Sequence, residues 1–489
     1  MSNYEMVIWL EIHIKLNSKT KLFCSCKNQQ DFEELKPNTN ICTVCTGQPG
    51  ALPVLQEEPL QKAVKLGLAL NCHINKFSNF DRKSYFYPDL PMGYQITQLF
   101  HPTNVEGEVK FFVNDYQEEK SVKIKQAHIE ADAWKTIHEG GKAFLDYNRA
   151  ATPLVEIVTY PDFRSEDEVV EFLKELQRIV RFNNVGDADL EKGQMRVDVN
   201  ISIRKRSEEG AEELRRDDYS NLGTRVELKN MNSFSAIKRA IQHEFKRQVK
   251  LVESWKQVDQ ETRGWNDAKG SSYTMRSKED ALDYRYFPEP DLPPLELTEE
   301  FIEEQRKQLV ENSFERAKIY KEKYGFHKEF ITPLISDLEI SNYFEKLVAD
   351  GIKPKNAAKW IVTILLRYLN DDNVSLSDVK FSYEDFLTLL KKEQDGEILH
   401  PQAKDVFKEM YNTGRKPEVI IEEKGYKAQD DGELEELVKS VLDENPEAVE
   451  DIKNWKMKAI GFLVGQIMKK SAWRANPAKA KDIIMKIVG

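Results

Sequence analysis

The chain has 489 residues, of which 40% are hydrophobic and 32% charged, and a formal net charge of −11. That length gives room for about two to four domains with ample core, and the composition is that of a soluble globular protein. The acidic balance excludes a protein-wide basic field that would recruit nucleic acid, so any such contact has to come from a local patch.

No apolar run approaches the ~18 residues of a membrane span. The opening Met1-Ser2-Asn3-Tyr4-Glu5 has neither the basic nor the apolar region of a secretory signal. Five cysteines, an odd number in a long chain, fit a reducing compartment. The expectation is a cytoplasmic protein with no membrane contact.

The first element is a strand. Over residues 7–16, Ile8, Leu10, Ile12, Ile14 and Leu16 fall on one face, and Val7, Trp9, Glu11, His13 and Lys15 on the other. Glu11 and His13 therefore point the same way, about 7 Å apart. Such a pair could hold a divalent cation, act as an acid and base, or simply be a solvated strand face. Next come Cys24-Ser25-Cys26 and Cys42-Thr43-Val44-Cys45, two close pairs separated by 15 residues. Their spacing suits one tetrahedral zinc, and four thiolates leave no open position for water, so the expected role is structural. Cys72 follows an amphipathic segment, 59–71, and is expected in the core. Residues 80–89 are aromatic and charged at once, with a proline that forbids a helix; the loop could stack a base and anchor phosphates, or simply pack on the surface.

Further alternating stretches follow. Gln126, His128, Glu130 and Asp132 share one face of residues 124–133; 153–158 places Glu156 in an otherwise apolar strand; 196–204 and 225–229 separate their faces cleanly. Antiparallel sheets commonly keep one wet face. One that mixes Glu, Asp, His, Arg, Lys and Asn points to a concave site for a charged substrate and metal. The phosphate-binding Gly-x-x-x-x-Gly-Lys-Ser/Thr and Gly-x-Gly-x-x-Gly loops are absent, as are Gly-x-Ser-x-Gly and His-Glu-x-x-His, so any use of ATP falls outside the common nucleotide folds. Composition and periodicity alone fit a metal-assisted enzyme or a ligand-binding cradle.

A proline cluster within 283–294 punctuates the chain. Beyond it the pattern is helical, with Ala357, Ile361, Ile364, Leu365 and Tyr368 on one stripe, and a further helix is expected after Arg415-Lys416-Pro417. The end of the chain is electrically split: 401–452 holds 7 basic and 15 acidic residues, 453–489 holds 9 basic and 1 acidic. The basic segment is either a nucleic-acid contact or a solvated helix face.

These stretches carry a family resemblance from Val7 to about Ile487. Leu10-Glu11-Ile12-His13, the 80–89 loop, Tyr94 to Gln98, His128-Ile129-Glu130, Asn148-Arg149 with Thr152 to Val158, Asp198 to Ser202, Glu227 to Asn230, Asp283 to Leu292, Ala459 to Met468 and Ala475-Asn476-Pro477 resemble, in order, the B-subunit (GatB) family of the aspartyl/glutamyl-tRNA amidotransferases. The four-cysteine set resembles the zinc-bearing members. The resemblance implies an α+β architecture: a mostly antiparallel β cradle with the zinc knuckle (1–292), an all-α domain (293–408) and a small helical, YqeY-like tail that binds tRNA (409–489). It implies a glutamine-hydrolysing carbon–nitrogen ligase of heterotrimeric form, whose other two members are a glutaminase subunit and a small third subunit. The side-chain carboxylate of Glu-tRNA(Gln) or Asp-tRNA(Asn) is phosphorylated from ATP and then amidated by channelled ammonia. Carried over, Glu11, His13, Glu130 and Glu156 would hold Mg²⁺; Arg149, Asp198, Asn200 and Arg225 would contact nucleotide or carboxylate; Lys83 resembles the ammonia-tunnel lysine. The acid that the family pairs with that lysine is replaced here by Ala131. A non-catalytic tRNA scaffold is the other function compatible with that departure.

The resemblance also singles out tryptophans. Trp265 and Trp360 stand where the family often has tryptophan, whereas Trp9, Trp134, Trp255, Trp455 and Trp473 stand where it typically has glycine. Glycine supplies positive φ and close backbone approach; tryptophan supplies neither. One cause would cover all five, UGA codons that the source organism reads as glycine; the alternative is genuine tryptophan at some of them with local repacking. Trp9 and Trp134 are expected to crowd the Mg²⁺ site.

Overall fold

The computed structural model describes residues 3–29, 35–87, 90, 92–206, 219–277, 284–426, 431–453, 458–471, 475 and 477–488. Two compact units divide the chain, Met1–Lys328 and Glu329–Gly489.

The first unit is built on a nine-stranded sheet. In chain order its strands are β1 (Tyr4–Lys15), β2 (His73–Ile74), β3 (Asn104–Val113), β4 (Glu118–Ala131), β5 (Pro153–Thr159), β6 (Met195–Lys205), β7 (Val226–Lys229), β8 (Glu261–Asn266) and β9 (Ser271–Ser277). Across the sheet they run β9-β8-β7-β6-β1-β5-β4-β3-β2. Every pairing is antiparallel except β7 with β8. The first strand made is thus in the interior of the sheet, held by β6 on one side and β5 on the other.

The alternation in β1 has the consequence expected of it. Ile8, Leu10, Ile12 and Ile14 are fully buried against α2 (Glu166–Phe182), whose Phe172, Leu173, Leu176 and Val180 join the same core. This helix starts where Ser165 accepts a hydrogen bond from the Glu168 amide, and Glu166, Asp167 and Glu168 oppose the dipole of its first turn. Two more helices cover the same face: α1 (Glu57–Ala69) and α3 (Phe234–Glu253), the latter adding Ile237, Ala240 and Ile241. Gly67 lets α1 lie on β3, since a Cβ there would come within 2.1 Å of the Asn104 amide oxygen. Cys72 lies in this core, as expected. With the helices all on one face, the other face of the sheet is left for polar side chains.

In the second unit, Leu338–Ala349, Pro354–Trp360, Tyr383–Gln394 and His400–Thr413 are helical. Trp360, Phe386 and Phe407 meet edge-on at 5.7–6.1 Å between ring centres. The expected apolar stripe is buried at Ala357, Ile361, Ile364 and Leu365, with a widened π turn over Ile361–Leu365. Pro417 opens the helix Pro417–Glu423, where its missing N–H costs nothing. Further on, Asp431–Glu444, Lys458–Lys470 and Pro477–Val488 close a separate core around Leu434, Val438, Leu463, Ile467 and Ile484. Among the described residues no helix is long and apolar enough to cross a membrane.

Candidate active site

The uncovered face of the sheet collects the chemistry. Because the pairing is in register, His13 on β1 lies opposite Glu156 on β5, and Glu156 lies opposite His128 on β4. His13 Nε2 stands 3.0 Å from Glu130 Oε1 and 3.3 Å from Glu156 Oε2, and His128 Nε2 is 3.4 Å from that same Glu156 oxygen. The donor atoms of His13, Glu130 and Glu156 all lie within 4.8 Å of one another, a set able to hold one metal ion. Two carboxylates and one imidazole suit a hard divalent cation that keeps several waters. Thr97 Oγ1 donates to Glu130 at 3.3 Å, and Gln126 lies 3.2 Å from His128 Nδ1, so the ring of donors is itself held in place.

Glu11 stands beside this trio, outside its 4.8 Å limit. It faces Val158 on β5 and Asp198 on β6, and accepts a hydrogen bond from Asn200 at 3.1 Å. Burial, followed by Glu156, Glu227 and Asp198, raises its carboxyl above the usual range. Lys229 partly offsets that crowd, donating to Asp198 at 2.6 Å and standing 3.2 Å from Glu227.

Above this face is a cavity of about 660 Å³ lined by Glu11, His13, Glu156, Asp198, Arg225 and Lys83, among others. Lys83 enters from the strand Asp81–Ser84. Against burial, which lowers it, Glu130, Tyr286 and Glu156 hold its ammonium above its ordinary value, and the Tyr284 ring centre is 5.0 Å away. Ala131, in place of an acid, is buried, and its carbonyl accepts from Gln95 at 2.8 Å. The far wall comes from a segment that composition marks only as punctuation and that the family resemblance includes. Phe287 and Pro288 pair with Arg82 and Asp81, which brings Tyr284 and Tyr286 to the cavity. Arg82 fixes this junction through a two-pronged bond to buried Glu289, both arms 2.8 Å. No alternation signals these tyrosines, because a pairing between distant parts of the chain puts them there.

Two of the expected contact residues are turned elsewhere. Asn200 reaches the cavity only through Glu11. Arg149 donates to the Ala133 and Trp134 carbonyls at 3.0 and 2.9 Å and pairs with Asp132 at 3.2 Å, bracing the chain just beyond Glu130. In the aromatic loop Phe80 is core, edge-on to Phe23 at 5.4 Å, whereas Phe86 and Tyr87 are exposed; Pro88 and Asp89 lie outside the described residues.

The cysteines form a second centre. Cys45 Sγ lies 3.6, 3.7 and 3.9 Å from the sulfurs of Cys24, Cys42 and Cys26, and all four fall within 4.8 Å. A tetrahedral ion with ~2.3 Å bonds to sulfur sets its ligands about 3.8 Å apart, so the group fits zinc. The bond from Cys24 draws the Cys45 thiol well below its ordinary value, with Lys21 adding to it.

Trp134 belongs to this second centre, which corrects the expectation that it crowds the Mg²⁺ site. β4 ends at Ala131, and the chain then turns so that the indole is buried among Cys24, Cys45 and Ala150. Its ring centre is only 3.5 Å from that of Tyr147 at 63°, where inclined rings normally stand about 4.5–7 Å apart. Trp9 does share the wet face with Glu11 and His13, opposite Asn200. Trp255 is 98% exposed at φ +59°, immediately after α3. Its amide donates to Val252 at 3.0 Å and that of Lys256 to Leu251 at 2.9 Å, a left-handed helix end that favours glycine. Trp455 and Trp473 lie outside the described residues.

A wet sheet face with a trio able to hold a metal ion, an acidic fringe and three cations, Lys83, Arg225 and Lys229, around one cavity is a site suited to charged groups. Residues 6–303 match the GatB/GatE catalytic domain, and 342–488 match the GatB domain. The chain is 44% identical to the B subunit of the aspartyl/glutamyl-tRNA(Asn/Gln) amidotransferase of Thermotoga maritima, over 99% of both chains. Identity to the protein of the same name is 44% in Elusimicrobium minutum, over the whole of both chains, and 42% in Persephonella marina, over 99% of both. The chain belongs to the GatB/GatE family.

Proposed function

We propose that the chain is the B subunit of a tRNA-dependent amidotransferase, acting in the cytoplasm with a glutaminase subunit and a small third subunit. It phosphorylates the side-chain carboxylate of Glu-tRNA(Gln) or Asp-tRNA(Asn) from ATP, and ammonia from the glutaminase then displaces the phosphate. The observation that carries this reading is the convergence of Glu11, His13 and Glu156 at one cavity, with buried Glu130 3.0 Å from His13, from three neighbouring strands. His13, Glu130 and Glu156, with Glu11 beside them, would hold Mg²⁺, which supplies counter-charge to the transferred phosphoryl group. Arg225 and Lys83 bring positive charge to the anionic reactants, Asp198 and Asn200 orient Glu11 and Lys229, and Arg149 braces the strand that carries Glu130. Lys83 serves the ammonia entrance with Glu130, Tyr284 and Tyr286 in place of the missing acid at 131. The test is glutamine-dependent amidation of Glu-tRNA(Gln) by the reconstituted complex, with and without ATP. Binding of acylated tRNA with no ATP-dependent product would leave the scaffold reading standing.

The four cysteines hold a structural zinc in this reading. Metal analysis of the purified protein is expected to find one zinc per chain, and Cys42→Ser to lose it; retention of zinc by that variant would mean the ligands are others.

The helical tail, 409–489, is the tRNA contact. Lys458, Lys469, Lys479, Lys481 and Lys486 are exposed there. Truncation at Lys453 would strip two helices from the core around Leu434 and Val438, so the cleaner change is Lys→Gln at these five positions. It is expected to weaken tRNA binding and flatten its salt dependence by about one unit of slope per lysine engaged. Unchanged affinity across a salt series would make these lysines a solvated face only.

A further inference from the structure

We propose that Lys21 belongs to the metal centre as the buried counter-ion of its thiolates, an inference that rests on the cysteines binding metal. Lys21 is fully buried, a rare state for a lysine without a charged partner. Its ammonium donates to Cys45 Sγ at 3.3 Å, to the Asn40 carbonyl at 3.0 Å and to the Tyr147 carbonyl at 3.5 Å. Among the described residues no carboxylate pairs with it. Four thiolates around a divalent cation leave two uncompensated negative charges, and the apolar and aromatic groups packed against the cysteines, Trp134, Ala150, Tyr147, Ile41 and Val44, are uncharged. One ammonium halves that excess, on the buried side of the centre beside Cys45. Each therefore accounts for the other: the lysine needs an anion, and the thiolates need a cation.

The same ammonium ties the centre to the turn Tyr147–Arg149, whose Arg149 braces the end of β4 behind Glu130. Lys21 is thus a positioning residue: it keeps the metal in place, and the metal centre keeps that turn.

The test uses full-length Lys21→Met, Lys21→Gln and Lys21→Arg, scoring zinc per chain and the rate at which zinc passes to a chromogenic chelator. The uncharged variants are expected to hold zinc roughly 10–100-fold more weakly, as for other groups just outside a metal's ligands, and the arginine variant to stay close to wild type. Wild-type release rates in Lys21→Met or Lys21→Gln would overturn the proposal. So would equal loss of zinc, or of soluble protein, in all three variants, because packing and not charge would then be what the centre needs. A wild-type chain that takes up no zinc is a different result, which fails the metal reading itself and this proposal with it.

Discussion

Glu11→Ala is expected to slow ATP-dependent activation of the acylated tRNA by about a thousandfold, while tRNA binding and the activity of the glutaminase partner stay near wild type. The reasoning begins with what Glu11 does for the fold, which is little. It is on the wet face, and Asn200 is its one hydrogen-bond partner among the described residues. Its carboxyl is raised by burial and by Glu156, Glu227 and Asp198, so in the free protein its removal relieves crowding of like charge. What is lost is anionic charge beside the His13–Glu130–Glu156 trio, where the phosphoryl group's cation would be held. Loss of several kcal/mol of charge stabilisation corresponds to a rate change of that order. The measurement is ADP formation with Glu-tRNA(Gln); a wild-type rate would remove Glu11 from the site.

The second large effect concerns the tryptophans. Restoring glycine at 9 is expected to raise the ATP-dependent rate by roughly tenfold, about 1.4 kcal/mol of barrier, because that position shares the face of Glu11 and His13; restoring it at 134, beside the cysteines, is expected to act on stability, where overpacking typically costs about 1–3 kcal/mol. Trp9→Gly clears the wet face next to Glu11, and Trp134→Gly separates two rings now only 3.5 Å apart beside the cysteines. Trp255→Gly acts on stability alone: a left-handed backbone costs a non-glycine residue about 1–2 kcal/mol, worth roughly 2–4 °C in melting temperature. The gene is expected to carry TGA at positions 9, 134, 255, 455 and 473 and TGG at 265 and 360. Peptides from the source organism should show glycine at the first five. TGG codons there, or native peptides with tryptophan, would end the idea.

The sheet was legible because its side-chain period is two. β1, β4 and β6 could be written down with their wet and dry faces and β5 as an apolar strand with one carboxylate; the grouping of Glu11, His13, Glu130 and Glu156 came from the family resemblance. What the pattern could not give was anything set by long-range pairing or by a turn. The placement of Tyr284 and Tyr286 depends on Phe287 meeting Arg82. Arg149 looked like a ligand contact until the chain beyond Ala131 turned its carbonyls toward it. That same turn carried Trp134 from the metal-donor face to the thiols. Lys21 gave no signal at all, since a lysine in a loop is ordinarily a solvated one.

The position of β1 in the sheet has a consequence in time. It is made well before its partners β5 and β6, which begin at Pro153 and Met195. At a synthesis rate of about 5–20 residues per second, both of its edges stay unpaired for roughly 7–30 s, and the edge that meets β6 for roughly 9–40 s. Throughout that interval Ile8, Leu10, Ile12 and Ile14 form an apolar row without a lid, the kind of surface that joins to another nascent chain. Successful production of this protein therefore depends on how β1 is sheltered early in translation, and slowing elongation between codons 16 and 195 should lower the soluble yield more than slowing it anywhere downstream.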